Sequence, residues 1–171
     1  KHASPTIFFG GQLNRAHPKK GKSDKQYQIT KPYRNPLMTI KGVEILQNNP
    51  KSPSADFKTY IARMKQATFC LVPAGDTASS RRLFDAMLCG CIPVFIGPKY
   101  VRPFEEYIQY DSFSVKLNET NWMDGNNGAQ IEIDLLLKME SKAIVEMQEN
   151  VRIYAPFVDW RHGTAVLDMI V

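Results

Sequence analysis

Two short segments that are apolar along their whole length constrain the fold most strongly. They are "TFCLVP" at 68–73 and "CIPVFIG" at 91–97. Between them, "RRLFDAMLCG" at 81–90 has helical spacing and ends at a glycine. A strand without alternation has both faces buried, and strands separated by helices form parallel sheets through right-handed crossovers. The sequence therefore predicts an α/β fold, a Rossmann-like parallel sheet with helices on both faces.

The rest of the chain supplies further elements of the same kinds. Apolar or alternating runs predict strands at 6–11, 42–47 and 111–117. Helical spacing predicts helices over 55–67, about 130–140 and 141–154, with a short last helix from near Gly163. Residues 14–36 are polar and hold three prolines, which predicts a long loop with a helical turn after Pro36.

Length and composition suit one globular unit. The chain has 171 residues, of which 43% are hydrophobic, enough for a core. No uncharged apolar run approaches the ~20 residues of a membrane span. The chain begins with Lys1 and enters a strand within a few residues. We interpret residues 1–171 as a single Rossmann-like lobe, a fragment of a longer protein.

The net charge of +5 is unevenly distributed. Residues 1–65 hold 13 Lys and Arg against 3 Asp and Glu, whereas residues 66–171 hold 9 against 14. A basic first third can attract phosphate, nucleic acid or an acidic glycan, or it can be a solvated lysine-rich loop. The basic segment "HPKKGKSDK" has no interleaved aromatic residues for base stacking. We therefore do not expect a nucleic-acid partner.

The three cysteines are Cys70, Cys89 and Cys91. An odd number leaves at least one unpaired within the chain. One Cys-x-Cys without a second pair or spaced histidines is not a zinc pattern. The apolar segments around the cysteines predict that they are buried, and the redox compartment stays open.

The stretch after the first apolar strand, "AGDTASSRR", is a candidate anion site. In open α/β sheets, ligands bind beyond the carboxyl ends of strands, where loops lead into helices. A helix that begins near Ser79 or Ser80 offers free N–H groups there. Gly75 allows close approach of the backbone, and Thr77, Ser79 and Ser80 can cap the helix or donate to phosphate.

Two charged residues extend this site. Arg82 in the first turn can bind phosphate, and Asp85, three residues later, can accept hydrogen bonds from a ribose diol. The alternative is a surface pair between Arg82 and Asp85 that contributes only about 0.3–0.5 kcal/mol. Arginine in the first turn has the wrong sign for the helix dipole, so two arginines there, Arg81 and Arg82, gain little structurally unless an anion is bound. The Walker and Gly-x-Gly-x-x-Gly patterns are both absent.

Residues 60–117 contain Phe69-Cys70-Leu71, Ser80-x-Arg82-x-x-Asp85-Ala86 and Gly90-Cys91-x-Pro93-Val94. With these motifs they resemble the exostosin family of glycosyltransferases. The family pattern runs Phe-Cys-Leu-x-Pro-x-Gly, Ser-x-Arg-x-x-Glu/Asp-Ala, Gly-Cys-x-Pro-Val, Tyr with Pro-Phe close behind, and Phe-Ser-Val. The matching residues are Phe69-Cys70-Leu71, Pro73, Gly75, Ser80, Arg82, Asp85-Ala86, Gly90-Cys91, Pro93-Val94, Tyr100, Pro103-Phe104 and Phe113-Ser114-Val115. The resemblance is looser after residue 117, and before residue 55 only "IFFGGQLNR" is similar.

The resemblance implies the C-terminal, donor-binding lobe of a GT-B enzyme. Such enzymes transfer sugar with inversion from a nucleoside-diphosphate sugar, usually a UDP-sugar, to a glycan or glycoprotein acceptor. Most are Golgi membrane proteins with a lumenal domain and a single N-terminal anchor. If the matching positions have the same roles as in the family, Arg82 would contact the pyrophosphate and Asp85 the ribose. Ser80, Thr77 and Gly75 would line the phosphate loop. Arg15 is a weaker phosphate candidate. Asp85 stands where many members have Glu.

The chemistry needs a stabilised leaving group and a base. Arg82 and the helix N-terminus would stabilise charge on the departing nucleoside diphosphate without a metal or other cofactor. Inversion also requires a base that deprotonates the acceptor hydroxyl. His2, His17 and His162 are isolated in the sequence, and no catalytic base is identified. We expect the base on the N-terminal lobe of the same chain.

Two other functions compete with an enzyme. A non-catalytic scaffold of the same fold could bind sugar nucleotides or glycans without a base. A basic α/β module could bind nucleic acid or polyanions through residues 15–41, with steep salt dependence and no competition by nucleotides. The donor sugar, acceptor and linkage are not specified by these residues.

Overall fold

The computed structural model describes residues 4–11, 13, 32–47, 53–73, 80–97 and 100–159. Within them, five strands form one sheet, in the order β2-β1-β3-β4-β5. The strands are β1 (Ile7–Gly10), β2 (Val43–Leu46), β3 (Phe69–Pro73), β4 (Ile92–Ile96) and β5 (Val115–Lys116). Every pair of neighbouring strands in this sheet is parallel. The predicted Rossmann-like α/β fold is confirmed.

Helices connect and cover the strands. The α-helices are α1 (Pro53–Gln66), α2 (Arg81–Leu88), α3 (Glu119–Met123), α4 (Gly128–Leu137) and α5 (Ser141–Tyr154). In the described ranges, three 3₁₀ helices span Pro32–Met38, Tyr110–Ser112 and Ala155–Val158. The predicted helix near Gly163 lies outside the described residues.

Both faces of the three central strands are buried, as their apolar sequences predicted. All residues of β1, β3 and β4 are buried. Phe8 and Phe9 point to opposite faces because neighbouring strand residues alternate. Phe8 packs with Tyr60 and Met64 of α1, whereas Phe9 belongs to the larger cluster that includes Ile133 of α4. Helices therefore cover both faces, as predicted.

Pro93 lies within β4 without disrupting the sheet. The N–H of Ile92 donates to the Thr68 carbonyl at 3.0 Å, on the β3 side. The nitrogen of the next residue, Pro93, therefore faces the β5 side. Because β5 begins opposite Val94, no ladder hydrogen bond is lost at Pro93.

The segment around β5 differs from the sequence prediction. A strand was expected over 111–117, but only Val115–Lys116 is strand, and Tyr110–Ser112 is a 3₁₀ helix. The Ser112 hydroxyl donates to the Gln109 carbonyl at 2.8 Å, and the Ser114 hydroxyl donates to the Tyr110 carbonyl at 2.6 Å. Such local side-chain bonds compete with a strand ladder.

Helix α3 was not predicted from the sequence. Its N-cap is Asn118, whose side chain accepts from the Asn121 N–H at 3.1 Å. Buried Glu132 accepts from the Asn118 N–H at 3.0 Å and from the Asn121 amide at 2.7 Å. Trp122 is fully buried and its indole donates to the Tyr33 carbonyl at 2.9 Å. The helix is thus maintained by contacts distant in sequence.

Cys70 and Cys91 form a disulfide, with Cα atoms 5.9 Å apart. Cys70 lies on β3, and Cys91 immediately precedes β4. Both are buried, as the sequence predicted, but treating them only as buried cysteines missed the bond. Parallel pairing of β3 with β4 brings the two residues together, and spacing along the chain does not show this. Cys89 is a free thiol.

Candidate functional site

The strand order creates a topological switch between β1 and β3. The chain leaves β1 towards β2 on one side and returns to β3 on the other, then continues to β4 and β5. In doubly wound sheets with this order, ligands bind beyond the carboxyl ends of the strands at the switch. Here that edge comprises Gly10, Pro73 and the N-terminus of α2, which follows β3. We call it the switch-point edge.

Ser80 caps the helix at this edge and is one of the three residues, Thr77, Ser79 and Ser80, that the sequence offered as caps. It has extended backbone angles, φ −142° and ψ 134°, and its side chain accepts from the Arg82 N–H at 3.3 Å. The first turn of α2 contains no acidic residue. Its backbone N–H groups and partial positive charge suit an anionic ligand.

Arg82 connects α2 to the end of β1. Its Nε donates to the Gly10 carbonyl at 2.7 Å, and its Nη1 donates to the Ser80 hydroxyl at 3.3 Å. The guanidinium carbon lies 5.3 Å from the centre of the Phe9 ring, a cation–π distance. These three contacts fix the planar group at the switch-point edge. Since a guanidinium has five N–H donors in a fixed fork, it can hold such contacts and bind an oxyanion.

Two glycines make room for these contacts, and no role was predicted for either of them from the sequence. A Cβ at Gly11 would lie 2.4 Å from Arg82 Nη2, and the backbone φ there is +156°. A Cβ at Gly10 would lie 2.3 Å from a ring carbon of Tyr60. The signal was present in the sequence, because a glycine pair at the end of a buried strand often marks close approach of another group.

Asp85 does not pair with Arg82. Its Oδ2 accepts from Arg81 Nε at 3.3 Å and from the Tyr60 hydroxyl at 3.1 Å. The Asp85 side chain is only 16% exposed, whereas that of Arg81 is 75% exposed. The alternative of a surface pair between Arg82 and Asp85 is therefore wrong, because Arg82 reaches β1 and Arg81, one turn before Asp85, takes the carboxylate. Tyr60 was not among the site residues predicted from the sequence.

Burial and the Asp85 carboxylate raise the pKa of Tyr60, although nearby Arg82 acts in the opposite direction. Tyr60 is thus a hydroxyl donor at neutral pH. Burial also raises the pKa of Tyr100, whose hydroxyl lies 3.5 Å from the Ser80 carbonyl. Tyr100 packs on Phe95 with ring centres 4.6 Å apart. The position of Tyr100 is thus explained by packing. Phe104, in contrast, is 41% exposed and has a positive backbone φ of +59°.

A polar cavity of about 290 Å³ lies beside Tyr100, at the ends of β4 and β5. Its charged and hydroxyl lining comprises Arg102, Glu105, Asp111, Ser114 and Lys116. Arg102 donates to both Glu105 and Asp111. The guanidinium carbon also lies 5.7 Å from the centre of the Tyr110 ring. These contacts already account for the charge of Arg102.

A larger cavity, of about 960 Å³, lies elsewhere in the described part of the chain. It is between the 3₁₀ helix Pro32–Met38 and helices α3 and α4, and none of Ser80, Arg82 and Asp85 lines it. We assign the site by the convergence of Ser80, Arg82 and Asp85 at the switch-point edge rather than by cavity size.

Three predicted site residues, Arg15, Gly75 and Thr77, lie outside the described residues, as do His2, His17 and His162. Among the residues that the structure describes, no group of three or more His, Cys, Asp or Glu side chains could hold a metal ion. In the same ranges, no helix is long and apolar enough to cross a membrane. Three of the six predicted donor-binding residues are therefore placed, and they lie within two turns of one helix.

Comparisons with known proteins agree with the resemblance seen in the sequence. The family model described as the exostosin GT47 domain matches residues 6–130. A probable arabinosyltransferase from Arabidopsis thaliana is 32% identical over 99 residues, 57% of this chain and 21% of that protein. A probable xyloglucan galactosyltransferase from Arabidopsis thaliana is 35% identical over 109 residues, 61% of this chain and 22% of that protein. An exostosin-1 homolog from Caenorhabditis elegans is 29% identical over 93 residues, 54% of this chain and 22% of that protein. The chain spans about a fifth of the length of these curated relatives.

Proposed function

Because this chain belongs to the exostosin GT47 family of glycosyltransferases, we propose that it is the donor-binding lobe of a glycosyltransferase. The ligand of the switch-point edge is then a nucleoside-diphosphate sugar, a UDP-sugar in our proposal. The acceptor is a glycan or glycoprotein. A five-stranded parallel sheet with helices on both faces is consistent with one lobe of a GT-B fold, and we place the other lobe N-terminal to it in the same protein.

The placement of Arg82 is the observation that carries this proposal. Its guanidinium is fixed beside the first turn of α2 by the Gly10 carbonyl and the Ser80 hydroxyl. A helix N-terminus attracts anions, and a guanidinium beside it adds a second anion-binding group. A diphosphate at this edge would meet both the guanidinium and the positive end of the α2 dipole.

The mechanism follows from the charge that develops during transfer. The acceptor oxygen forms a bond to the anomeric carbon while the bond from that carbon to the diphosphate oxygen breaks, which inverts the configuration. The electron pair of the broken bond stays on the nucleoside diphosphate. Arg82 and the N-terminus of α2 stabilise that negative charge because they are oriented before the reaction. The proton of the acceptor hydroxyl goes to a base, which we place on the N-terminal lobe.

Asp85 is proposed to bind the ribose of the donor. Its two hydrogen bonds both use Oδ2, so a ribose hydroxyl can donate to Oδ1. The side chain stays partly accessible, at 16% exposed. A shorter Asp at a position where many family members have Glu requires the ribose to lie closer to α2.

The compartment is also a proposal. A disulfide between buried Cys70 and Cys91 is typical of proteins that fold in an oxidising environment. This favours the lumen of the secretory pathway, and with the family resemblance it supports a Golgi lumenal domain held by a membrane anchor elsewhere in the protein.

Calorimetric titration of the complete protein with UDP, with ADP and GDP as controls, tests the donor site. We expect saturable UDP binding that Arg82→Ala and Asp85→Ala each weaken at least tenfold. Arg152→Ala, which removes an exposed arginine on α5, should bind like the wild type. Absence of UDP binding by the folded protein would refute the donor site and favour a scaffold. Release of UDP and transfer of a labelled sugar to glycan acceptors would then test catalysis itself.

A further inference from the structure

We propose that Tyr60 is a positioning residue, which orients the Asp85 carboxylate towards the ribose of the donor within a space created by Gly10. Tyr60 lies on α1, the helix that leads into β3, whereas Asp85 lies on α2, the helix that follows it. The inference rests on the proposed function, because it assigns a role to Tyr60 in that same site.

The hydrogen bond between the two residues is largely shielded from water. The Tyr60 hydroxyl donates to Asp85 Oδ2 at 3.1 Å, Tyr60 is 8% exposed, and the Asp85 side chain is 16% exposed. A hydrogen bond to a carboxylate in such surroundings is stronger than one in water. Arg81 binds the same oxygen at 3.3 Å, but its own side chain is 75% exposed, so its hold is weaker. Tyr60 is therefore the main restraint on the carboxylate.

Both restraints act on one oxygen of Asp85. Within the described residues, Oδ2 accepts from Tyr60 and Arg81, while Oδ1 accepts no hydrogen bond. A carboxylate held by one oxygen has a fixed rotamer, and the second oxygen can then accept from a ligand without reorganisation. Preorganisation of this kind raises affinity by reducing the cost of ordering on binding.

Gly10 connects this pair to the phosphate side of the site. The Tyr60 ring lies where a Cβ of residue 10 would be, 2.3 Å from the nearest ring carbon. The carbonyl of the same Gly10 accepts from Arg82 Nε at 2.7 Å. One backbone position thus supports both Arg82, proposed to bind the diphosphate, and Tyr60, which holds the proposed ribose acceptor. A residue with no side chain is required there because the ring occupies the space.

The experiment is a titration of the complete protein with UDP, 2′-deoxy-UDP and inorganic pyrophosphate. Tyr60→Phe removes the hydroxyl and keeps the ring against Gly10. We expect wild type to prefer UDP over 2′-deoxy-UDP, and Tyr60→Phe to reduce that preference by about fivefold to tenfold. This is less than the roughly tenfold to hundredfold value of a hydrogen bond to a charged group, because Arg81 still restrains the carboxylate. Pyrophosphate binding should stay within about twofold of wild type, since Arg82 is unchanged. Tyr107→Phe, at a tyrosine that is 45% exposed, is the matched control.

The outcomes separate a positioning role from a structural one. In an Asp85→Ala background, Tyr60→Phe should have no further effect on UDP binding, which shows that it acts through the carboxylate. An equal loss of affinity for all three ligands would indicate a structural role only and would overturn the inference, as would an unchanged ratio of UDP to 2′-deoxy-UDP. In both cases the donor site stands. If wild type binds no UDP, the proposed function fails and the positioning role fails with it.

Discussion

Replacing Gly11 by alanine should disable the anion site without removing any of its side chains. The added Cβ would lie 2.4 Å from Nη2 of Arg82 and about 3.1 to 3.2 Å from the guanidinium carbon and Nε. These atoms are at the end of a flexible side chain, so the guanidinium moves and the backbone of β1 does not. The movement breaks the 2.7 Å hydrogen bond from Arg82 Nε to the Gly10 carbonyl.

The expected loss of UDP affinity follows from the hydrogen bond that is broken. A hydrogen bond to a charged group contributes about 1.5–3 kcal/mol. If the displaced guanidinium also misses the diphosphate, UDP binding should weaken by about tenfold to a hundredfold. Residue 11 has φ +156°, a conformation that alanine adopts with strain, so the free energy of unfolding should also fall by about 1–2 kcal/mol.

The assay pairs calorimetric UDP titration with urea denaturation, under conditions in which every variant is fully folded. Gly125→Ala is the matched control, because a Cβ there meets nothing within 4 Å, and it should bind UDP like the wild type. If Gly11→Ala is folded and binds UDP with wild-type affinity, the orientation of Arg82 by β1 is irrelevant to binding. The switch-point edge would then not be the diphosphate site.

Three further predictions concern stability. Trp122→Phe removes the indole donor of the buried Tyr33 carbonyl, so urea denaturation should show a loss of about 2–3 kcal/mol; a loss below about 0.5 kcal/mol would contradict this packing. Reduction of the Cys70–Cys91 bond should lower the free energy of unfolding by about 3 kcal/mol, and mass spectrometry after alkylation without reductant should find both residues unmodified. Burial raises the pKa of Tyr110 to about 12 from an ordinary 10, so the fold favours its neutral form. The contribution of this preference to the free energy of unfolding is complete below pH 10 and is lost as the pH rises from 10 to 12. If the pH dependence of unfolding from pH 10 to 12 were the same in wild type and Tyr110→Phe, the prediction would be contradicted.

The sheet could be predicted from the sequence because its signals are local. Unbroken apolar runs at Phe69–Pro73 and Ile92–Ile96 indicate strands buried on both faces whatever surrounds them. The start of α2 could be predicted to within a residue, near Ser79 or Ser80, for the same reason, since a capping side chain acts within its own turn. In contrast, β5 was overestimated because Ser114 bonds locally to the backbone and leaves fewer residues for the ladder.

The contacts that shape the candidate site could not be predicted in the same way. Arg82 binds a carbonyl 72 residues earlier in the chain, and the Tyr60 hydroxyl binds a carboxylate 25 residues later. Spacing along α2 suggested a pair between Arg82 and Asp85, but each side chain forms a hydrogen bond to a residue outside α2 instead. The pairing of β3 with β4 determines in the same manner which cysteines meet. Such partners depend on the strand order, which no local pattern specifies.

A structure of the complete protein bound to UDP tests the central claim most directly. The quantity to measure is the distance from the diphosphate oxygens to the Arg82 guanidinium and to the backbone N–H groups of the first turn of α2. We predict hydrogen-bond distances of about 2.7–3.2 Å at both, with a ribose hydroxyl at the same distance from Asp85 Oδ1. A diphosphate bound away from the switch-point edge, with Arg82 still on Gly10 and no ligand contact, would contradict the proposed donor site.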